Sequence, residues 1–163
     1  MGKRKIKRAK SWLKLVPPEH PTLNYPAEIL TGIDDVTKTL INDLFWLLSK
    51  HGGLGLSATQ VGCSRSVFVM NCGERVAVIN PVIVQLSNFG KTLLEGCLTF
   101  PDQYVEIERP NEVRIQYMNE KFRQVERSFY DLEARCVLHE IDHLNGKLIT
   151  AYGDLVEGCH ENR

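Results

Sequence analysis

The spacing of hydrophobic residues in the first half of the chain predicts one long amphipathic helix, over residues 34–53. Its apolar residues fall on a single stripe at helical spacing: Val36, Leu40, Leu44, Leu47 and Leu48. Two aspartates precede the stripe and suit the positive end of a helix, and two glycines after it favour termination. We therefore expect a helix with one buried face.

The pattern changes after residue 65 to short runs that are typical of β-strands. The segments "SVFVMN" and "RVAVINPVIVQL" are rich in β-branched residues, and Pro81 in the second run indicates a sheet edge or a bulge. Polar and apolar residues then alternate through "YVEIERP" and "EVRIQYMNEKFRQVERSFY". This alternation predicts antiparallel strands, with a hairpin turn at "MNEKF" although that segment lacks glycine.

A second helix is predicted over "DLEARCVLHEIDHLNG", residues 131–146. Asp131 is the expected N-cap, and the pair Asn145-Gly146 is a typical helix end. The predicted fold class is therefore α+β, with two long helices and a mostly antiparallel strand region between them.

Composition indicates one soluble intracellular domain. The chain has 163 residues, and no apolar run approaches the ~18 residues of a membrane span. No apolar segment with a small-residue cleavage site follows the basic amino terminus, so we do not expect a secretory signal. Five cysteines at irregular spacing favour a reducing compartment, and we expect a cytoplasmic protein.

The net charge of zero hides a basic amino terminus. Six of the first ten residues are Lys or Arg, whereas residues 11–163 carry 14 basic and 20 acidic side chains. We expect residues 1–16 to form a flexible, solvated arm and residues 17–163 to form the domain. Two alternatives stay open for the arm, namely an anchor on RNA phosphates and an organelle-targeting remnant. Neither DNA nor a membrane is an expected partner.

Residues 139–143 in the second helix have the pattern H-E-x-x-H. Residues four apart lie on the same helical face, so His139 and His143 can both point to one metal ion. Glu140 would then flank the ion, at the place of a general base. The alternative is an ordinary amphipathic helix that carries two histidines.

A metal site of this kind needs a third protein ligand. Cys136 is seven residues from His143, about 10.5 Å along a helix axis, and is better interpreted as a core residue. Cys97 follows Glu95 and Gly96 in "LLEGCLTFP", where a glycine allows close approach of the backbone to an ion or a substrate. A buried cysteine at a strand edge remains the alternative for Cys97.

The glycine-rich loop "GLGLSATQ" presents a further choice. Its G-x-G-x-x-A pattern is similar to a dinucleotide-binding motif, but it follows a helix and leads into a strand, which is the wrong order. Such a loop can instead lie along a substrate backbone, and the Gln60 amide can donate to an oxyanion. The alternative for Gln60 is an ordinary solvated loop residue.

Taken together, these segments resemble the peptide deformylase family. Three motifs occur in the order of that family at compatible spacing: "GLGLSATQ" (53–60), "EGCLT" (95–99) and "HEIDHLNG" (139–146). The segment "HPTLNYPAEI" and the run "LEARCVLHEIDHLNG" are also similar, so the resemblance covers roughly residues 17–152. It implies antiparallel sheets packed around a central helix that carries the HEIDH motif.

The resemblance also implies the chemistry. Cys97, His139 and His143 would hold a divalent metal, natively iron(II) and often replaceable by zinc, nickel or cobalt. The substrate would be an N-formylmethionyl peptide of a nascent chain, and the products formate and a free N-terminal methionine. Glu140 would be the general base, with Gln60 and the Leu98 backbone N–H as oxyanion donors.

Further roles are expected around these residues. The expected substrate-contacting residues are Gly53, Leu54, Gly55, Glu95, Gly96, Arg109, Leu132 and Cys136. Among them, the glycine loop and the pair Leu132 and Cys136 would form opposite walls of the methionine pocket, and Arg109 would contact the peptide backbone. Glu95 and Asp142 are also candidates for orienting the metal ligands, with Arg114 as a partner of Asp142.

The chain departs from the family pattern at a few positions. Ser57 replaces the usual alanine, Thr99 replaces a common serine, and Leu138 stands where glutamine is usual. Only 20 residues follow His143, as in short phage-encoded deformylases, so we expect no C-terminal helix. The basic arm is our hypothesis for a substitute ribosome contact.

Two other functions are weighed against deformylation. One is an H-E-x-x-H metallopeptidase, and the other is a metal-binding, ribosome-associated module without turnover. A cysteine as third ligand and the Gln60 loop favour deformylation.

Overall fold

The structure is a computed structural model, and it describes residues 13–158. The helices are α1 (Pro21–Asn24), α2 (Asp35–His51) and α3 (Asp131–Leu144). The strands are β1 (Gly55–Ser57), β2 (Val67–Asn71), β3 (Arg75–Leu86), β4 (Gly90–Cys97), β5 (Phe100–Pro110), β6 (Glu112–Met118), β7 (Gln124–Tyr130) and β8 (Val156–Glu157). Two 3-10 helices cover Ala58–Val61 and Ile149–Ala151. The predicted α+β class is confirmed.

Helix α2 forms at the predicted place. The Asp34 side chain caps it by accepting the Thr37 backbone N–H at 2.7 Å, and Gly52 ends it with a left-handed φ of 67°. The predicted leucines are buried, but Val36 is 64 % exposed, so its place on the buried face was predicted wrongly. The buried residue of the first turn is Thr37, whose hydroxyl donates to Asp34 and accepts from Arg65.

Five strands form one antiparallel sheet in the order β1-β2-β3-β6-β7. The pairing of β3 with β6 shifts register between Ile79 and Val82, so the predicted bulge at Pro81 is confirmed. The β6–β7 hairpin is also confirmed. Its turn needs no glycine because Phe122 adopts a φ of 54° and the Asn119 side chain accepts the Lys121 and Arg123 N–H groups.

A second antiparallel sheet has the order β4-β5-β8. The hydrophobic pattern did not predict the two-residue strand β8, which pairs with β5, or the short helix α1. Strand β4 ends at Cys97, where the pairing with β5 shifts register. The sheet therefore presents this cysteine at the end of an irregular strand.

Helix α3 lies between the sheets and carries the HEIDH motif, as predicted. Its N-cap is Tyr130 and not Asp131, because the chain turns at Asp131 itself with a φ of 49° directly after β7. The expected stop at the other end is confirmed, since Asn145 is the C-cap and Gly146 has a φ of 72°. Most α3 side chains are buried, so the helix is central to the domain.

The chain before α1 lies against the domain. Leu13 and Leu15 pack against the core cluster that contains the buried side chains of α2. The Val16 N–H donates to the Gln60 carbonyl at 2.9 Å. The last residues of the predicted arm, 13–16, therefore contact the domain. Residues 1–12, which carry its block of six Lys or Arg, lie outside the described residues. Within residues 13–158 no helix is long and apolar enough to cross a membrane.

Candidate metal centre

Three side chains from two elements converge at the centre of the domain. The ligand atoms of Cys97, His139 and His143 all lie within 4.8 Å of one another. The His143 Nε2 atom is 3.2 Å from the Cys97 sulfur and 3.1 Å from the His139 Nε2 atom. A tetrahedral ion with bonds of ~2.1 Å separates its ligands by ~3.4 Å, so these residues fit one ion.

The pKa values of the two histidines shift in opposite directions. Burial, and next the charge of His139, lower the pKa of His143 well below its ordinary value, so this imidazole is neutral. Burial also acts to lower the pKa of His139, but hydrogen bonds with Cys97 and Glu95 outweigh it and raise that pKa. The His139 Nδ1 atom lies 2.6 Å from the Glu95 carboxylate, so its Nε2 atom is the one directed at His143.

Cys136 is excluded as the third ligand by its position. It is absent from the group of convergent ligand atoms, and it lies in the core formed by α3 and the five-stranded sheet. A hydrogen bond with Cys72, and next burial, raise the pKa of the Cys136 thiol well above its ordinary value. The three convergent ligand atoms therefore come from α3, which carries two of them, and from β4, which carries the Cys97 sulfur.

Glu95 orients the first histidine. Its carboxylate accepts the His139 Nδ1–H at 2.6 Å and also binds two guanidinium groups, of Arg109 at 2.6 Å and of Arg135 at 2.8 Å. Burial acts to raise the pKa of Glu95, but hydrogen bonds from His139 and Arg109 prevail and lower it to about 2. Glu95 is thus a buried carboxylate that fixes the ring of His139.

Two arginines lie elsewhere than predicted. Arg109 is 5 % exposed, it binds Glu95 and Asp142, and it does not line the cavity, so its position does not support the expected contact with the peptide. Asp142 is therefore paired with Arg109 and not with Arg114, which lies 3.6 Å from Glu126 on an exposed face. The sequence does not show which face of β5 or of β6 meets α3.

Glu140 is buried beside the ligands. Its carboxylate accepts the Ser57 hydroxyl at 2.6 Å. A Cβ atom on Gly55 would stand 2.5 Å from the Glu140 Oε1 atom, so only glycine allows this approach. Burial raises the pKa of Glu140 to about 7, against the opposing effects of His139 and Ser57. The group can therefore gain or lose a proton near neutral pH.

Gln60 lies on the other side of the ligands, in the first 3-10 helix. Its carbonyl oxygen accepts the Ser57 backbone N–H at 2.9 Å, which fixes the orientation of the amide. The amide nitrogen then points to the Thr99 hydroxyl at 3.2 Å and to the Cys97 sulfur at 3.6 Å. Gln60 is 1 % exposed and is not a solvated loop residue.

A cavity of about 650 Å³ opens onto this centre. Every predicted substrate-contacting residue except Arg109 lines it, and so do Gln60, Leu98, Cys97, His139 and Glu140. Leu54 and Leu132 are half exposed at its rim, whereas Cys136 is buried. Glu95 lies on the wall but is engaged by arginines and His139. Its position therefore favours the orienting role over a substrate contact.

Sequence reasoning missed two residues of the centre. Arg135 forms part of the cavity wall and donates to Glu95 and to the carbonyls of Ile107 and Lys91. Its position one turn before His139 was the available signal. Ser57 contacts both Glu140 and Gln60, and its replacement of the usual alanine was the signal there.

This arrangement defines a class of protein. A thiolate and two imidazoles that fit one ion, with a buried carboxylate beside them at the floor of a cavity, form the site of a metal-dependent hydrolase.

Comparison with known proteins gives the family. The profile of the polypeptide deformylase family matches residues 12–157, and the chain belongs to this family. A peptide deformylase of Pseudothermotoga lettingae is 41 % identical over 128 residues, which are 78 % of this chain and 75 % of that protein. This enzyme therefore removes the N-formyl group from nascent peptides, and the peptidase and non-catalytic alternatives are not favoured.

Solved structures agree with this assignment. The crystal structure of peptide deformylase from Thermotoga maritima has a TM-score of 0.84 and 36 % identity, and the match covers 87 % of this chain and 97 % of that one. A peptide deformylase from Synechococcus elongatus, in complex with actinonin, has a TM-score of 0.85 and 33 % identity, with 90 % and 81 % covered.

Proposed function

We propose that Cys97, His139 and His143 hold the metal ion of this deformylase, and that Glu140, Gln60 and Leu98 carry the hydrolysis. The observation that supports this best is the convergence of three ligand atoms within 4.8 Å, at the floor of a cavity and next to a buried carboxylate. The bound ion supplies Lewis acidity at the reacting carbonyl and water.

Glu140 is the acid–base group of the proposal. It accepts a proton from the water that attacks the formyl carbon, and it returns that proton to the departing amine. Its pKa of about 7 supports both transfers, because neither protonation state is strongly disfavoured at neutral pH. Formate and a free N-terminal methionine are the products.

Gln60 and Leu98 stabilise the negative charge that develops on the formyl oxygen. The Ser57 backbone N–H donates to the Gln60 carbonyl oxygen, so the amide nitrogen is preorganised before substrate enters. Leu98 lies on the cavity wall directly after Cys97, which brings its backbone N–H close to the sulfur ligand. Two donors fixed in advance need no reorganisation during the reaction.

We propose that the methionine side chain binds between two walls of the cavity. Gly53, Leu54 and Gly55 form one wall, and Leu132 and Cys136 lie on the cavity surface contributed by α3. An unbranched thioether suits such an apolar slot. Gly96, at the end of β4, is the proposed contact for the peptide backbone, because its missing side chain leaves the strand open.

Iron(II) is the proposed native metal, and zinc, nickel or cobalt are expected to replace it. One thiolate and two imidazoles accept all four ions, so the donor set supports each of them. Metal analysis of protein purified without oxygen tests this proposal. One iron per chain is expected, and protein that holds zinc instead of iron after this purification would contradict it.

Substitution of Glu140 tests the catalytic assignment. Glu140→Gln keeps the size of the side chain but cannot accept the proton, so we expect bound metal and a loss of formate release of at least 100-fold. The assay uses formyl-Met-Ala-Ser, with the unformylated peptide as a control for peptidase activity. Turnover near the parent rate would mean that Glu140 is not the base.

A ribosome contact through the basic arm is also proposed, together with action in the cytoplasm, where nascent chains emerge. The support is the block of six Lys or Arg among the first ten residues, which suits RNA phosphates. Deleting residues 3–10 should weaken co-sedimentation with ribosomes and reduce its salt dependence. Unchanged binding would rule out this role.

A further inference from the structure

Ser57 is a fully buried residue between β1 and the first 3-10 helix. Its hydroxyl lies 2.6 Å from the Glu140 Oε2 atom and 3.2 Å from the Glu140 backbone carbonyl. A serine hydroxyl has a single proton to donate, and the shorter contact shows that the carboxylate receives it.

The two oxygens of Glu140 have different surroundings. Ser57 binds Oε2, and it is the only hydrogen-bond donor to this carboxylate within residues 13–158. The Oε1 atom lies against Gly55 on the cavity wall, where a side chain would collide with it. One oxygen is therefore fixed, while the other stays beside the space that substrate and water enter.

The backbone of Ser57 has a second, separable contact. Its N–H donates to the Gln60 carbonyl oxygen at 2.9 Å, and any residue except proline can supply this bond. The bond to Glu140, in contrast, needs a side-chain donor. An alanine at position 57 would keep the first contact and lose the second.

We propose that Ser57 is a positioning residue, which holds Glu140 through Oε2 so that Oε1 faces the cavity for proton exchange. The proposal rests on the role of Glu140 proposed above.

The first test is a double-mutant cycle on the unfolding of the metal-free protein. Ser57→Ala should raise the unfolding equilibrium constant about tenfold or more, because it removes a buried hydrogen bond to a charged group. In a Glu140→Ala background the same change should have an effect below about twofold, because the partner is gone. Equal effects in both backgrounds would overturn the proposal.

Ser66→Ala is the matched control for this cycle. Ser66 is also buried, at 4 % exposure, and it lies before β2 with hydrogen bonds through its backbone to Glu28 and Asn80. Its substitution should change the unfolding constant by the same factor whether or not Glu140 is present.

The second test separates positioning from a purely structural role. With zinc-loaded protein and formyl-Met-Ala-Ser, Ser57→Ala should lower kcat about tenfold and leave KM within twofold, because Glu140 acts after substrate binds. Ser57→Cys should behave like alanine, since a thiol of similar size is a weak donor, and Ser57→Thr should restore most of kcat. If the Ser57→Thr variant does not fold, the kcat of the Ser57→Cys variant still tests the proposal.

The outcomes distinguish this inference from the proposed function. Coupling in the unfolding cycle with an unchanged kcat would overturn the positioning role and leave a structural contact. Turnover by Glu140→Gln at the parent rate would instead refute Glu140 as the base, whatever the unfolding cycle shows.

Discussion

Neutralising Glu95 should destabilise this protein more than any surface change. Its carboxylate is 6 % exposed and has three cationic or proton-donating partners, Arg109, Arg135 and His139, at 2.6–2.8 Å. Glu95→Gln keeps the shape of the side chain but leaves two buried guanidinium groups without their anion. Removing one partner of a buried ion pair is strongly destabilising, because the remaining charge is buried without compensation.

Two independent estimates give the magnitude. The pKa of Glu95 falls from its ordinary value of 4.5 to about 2, which corresponds to about 3 kcal/mol at 1.36 kcal/mol per pH unit. Removal of one partner from a buried ion pair typically costs about 3–5 kcal/mol. We therefore expect Glu95→Gln to lower the free energy of unfolding by about 3 kcal/mol at pH 7.

The assay is urea unfolding of the metal-free protein, with Glu126→Gln as the control. Glu126 is 42 % exposed and 3.6 Å from Arg114, so its loss should cost at most about 1 kcal/mol. Because folding depresses the pKa of Glu95, its contribution is complete above pH 4.5 and is lost as the pH falls toward 2. A difference from the parent below 1 kcal/mol at pH 7 would refute this reasoning.

The remaining predictions concern glycines and the sulfur ligand. Gly55→Ala should cut formate release at least tenfold, because its Cβ atom would stand 2.5 Å from the Glu140 carboxylate, whereas Gly32→Ala, with nothing within 4 Å, should leave it unchanged. Gly146→Ala should lower the free energy of unfolding by about 1–3 kcal/mol in urea titrations, because φ is 72° and a backbone nitrogen lies 2.8 Å from the new Cβ atom. Cys97→Ser should lower zinc affinity at least 100-fold in a chelator competition, because a hydroxyl is a poor ligand; unchanged affinity would contradict the proposed site.

The three proposed metal ligands were not equally predictable from the sequence. The pairing of His139 and His143 follows from helical geometry, because residues four apart must share a face once the helix forms. Cys97 is 42 residues before the first histidine, and no local period connects them. Only the order of three motifs, compared with a known family, selected this cysteine, and the fold then brought its sulfur to His143.

The interactions that the sequence did not predict depend on the packing between elements. Arg109 and Arg114 lie on consecutive strands, β5 and β6, which belong to different sheets. The choice between them follows from which face of each strand meets α3, and alternation along a strand does not fix that face. The prediction for Val36 was wrong for a related reason. Helical spacing identifies an apolar stripe, but it does not show how far along the helix other elements cover that stripe.

X-ray absorption of the zinc-loaded protein tests the proposed site most directly, because it reports the atoms bound to the ion. Since Cys97, His139 and His143 converge, we predict one sulfur at about 2.3 Å and two imidazole nitrogens at about 2.0–2.1 Å from a single zinc per chain. The sulfur signal should disappear in Cys97→Ser. A fully loaded parent protein with no sulfur neighbour would contradict the account.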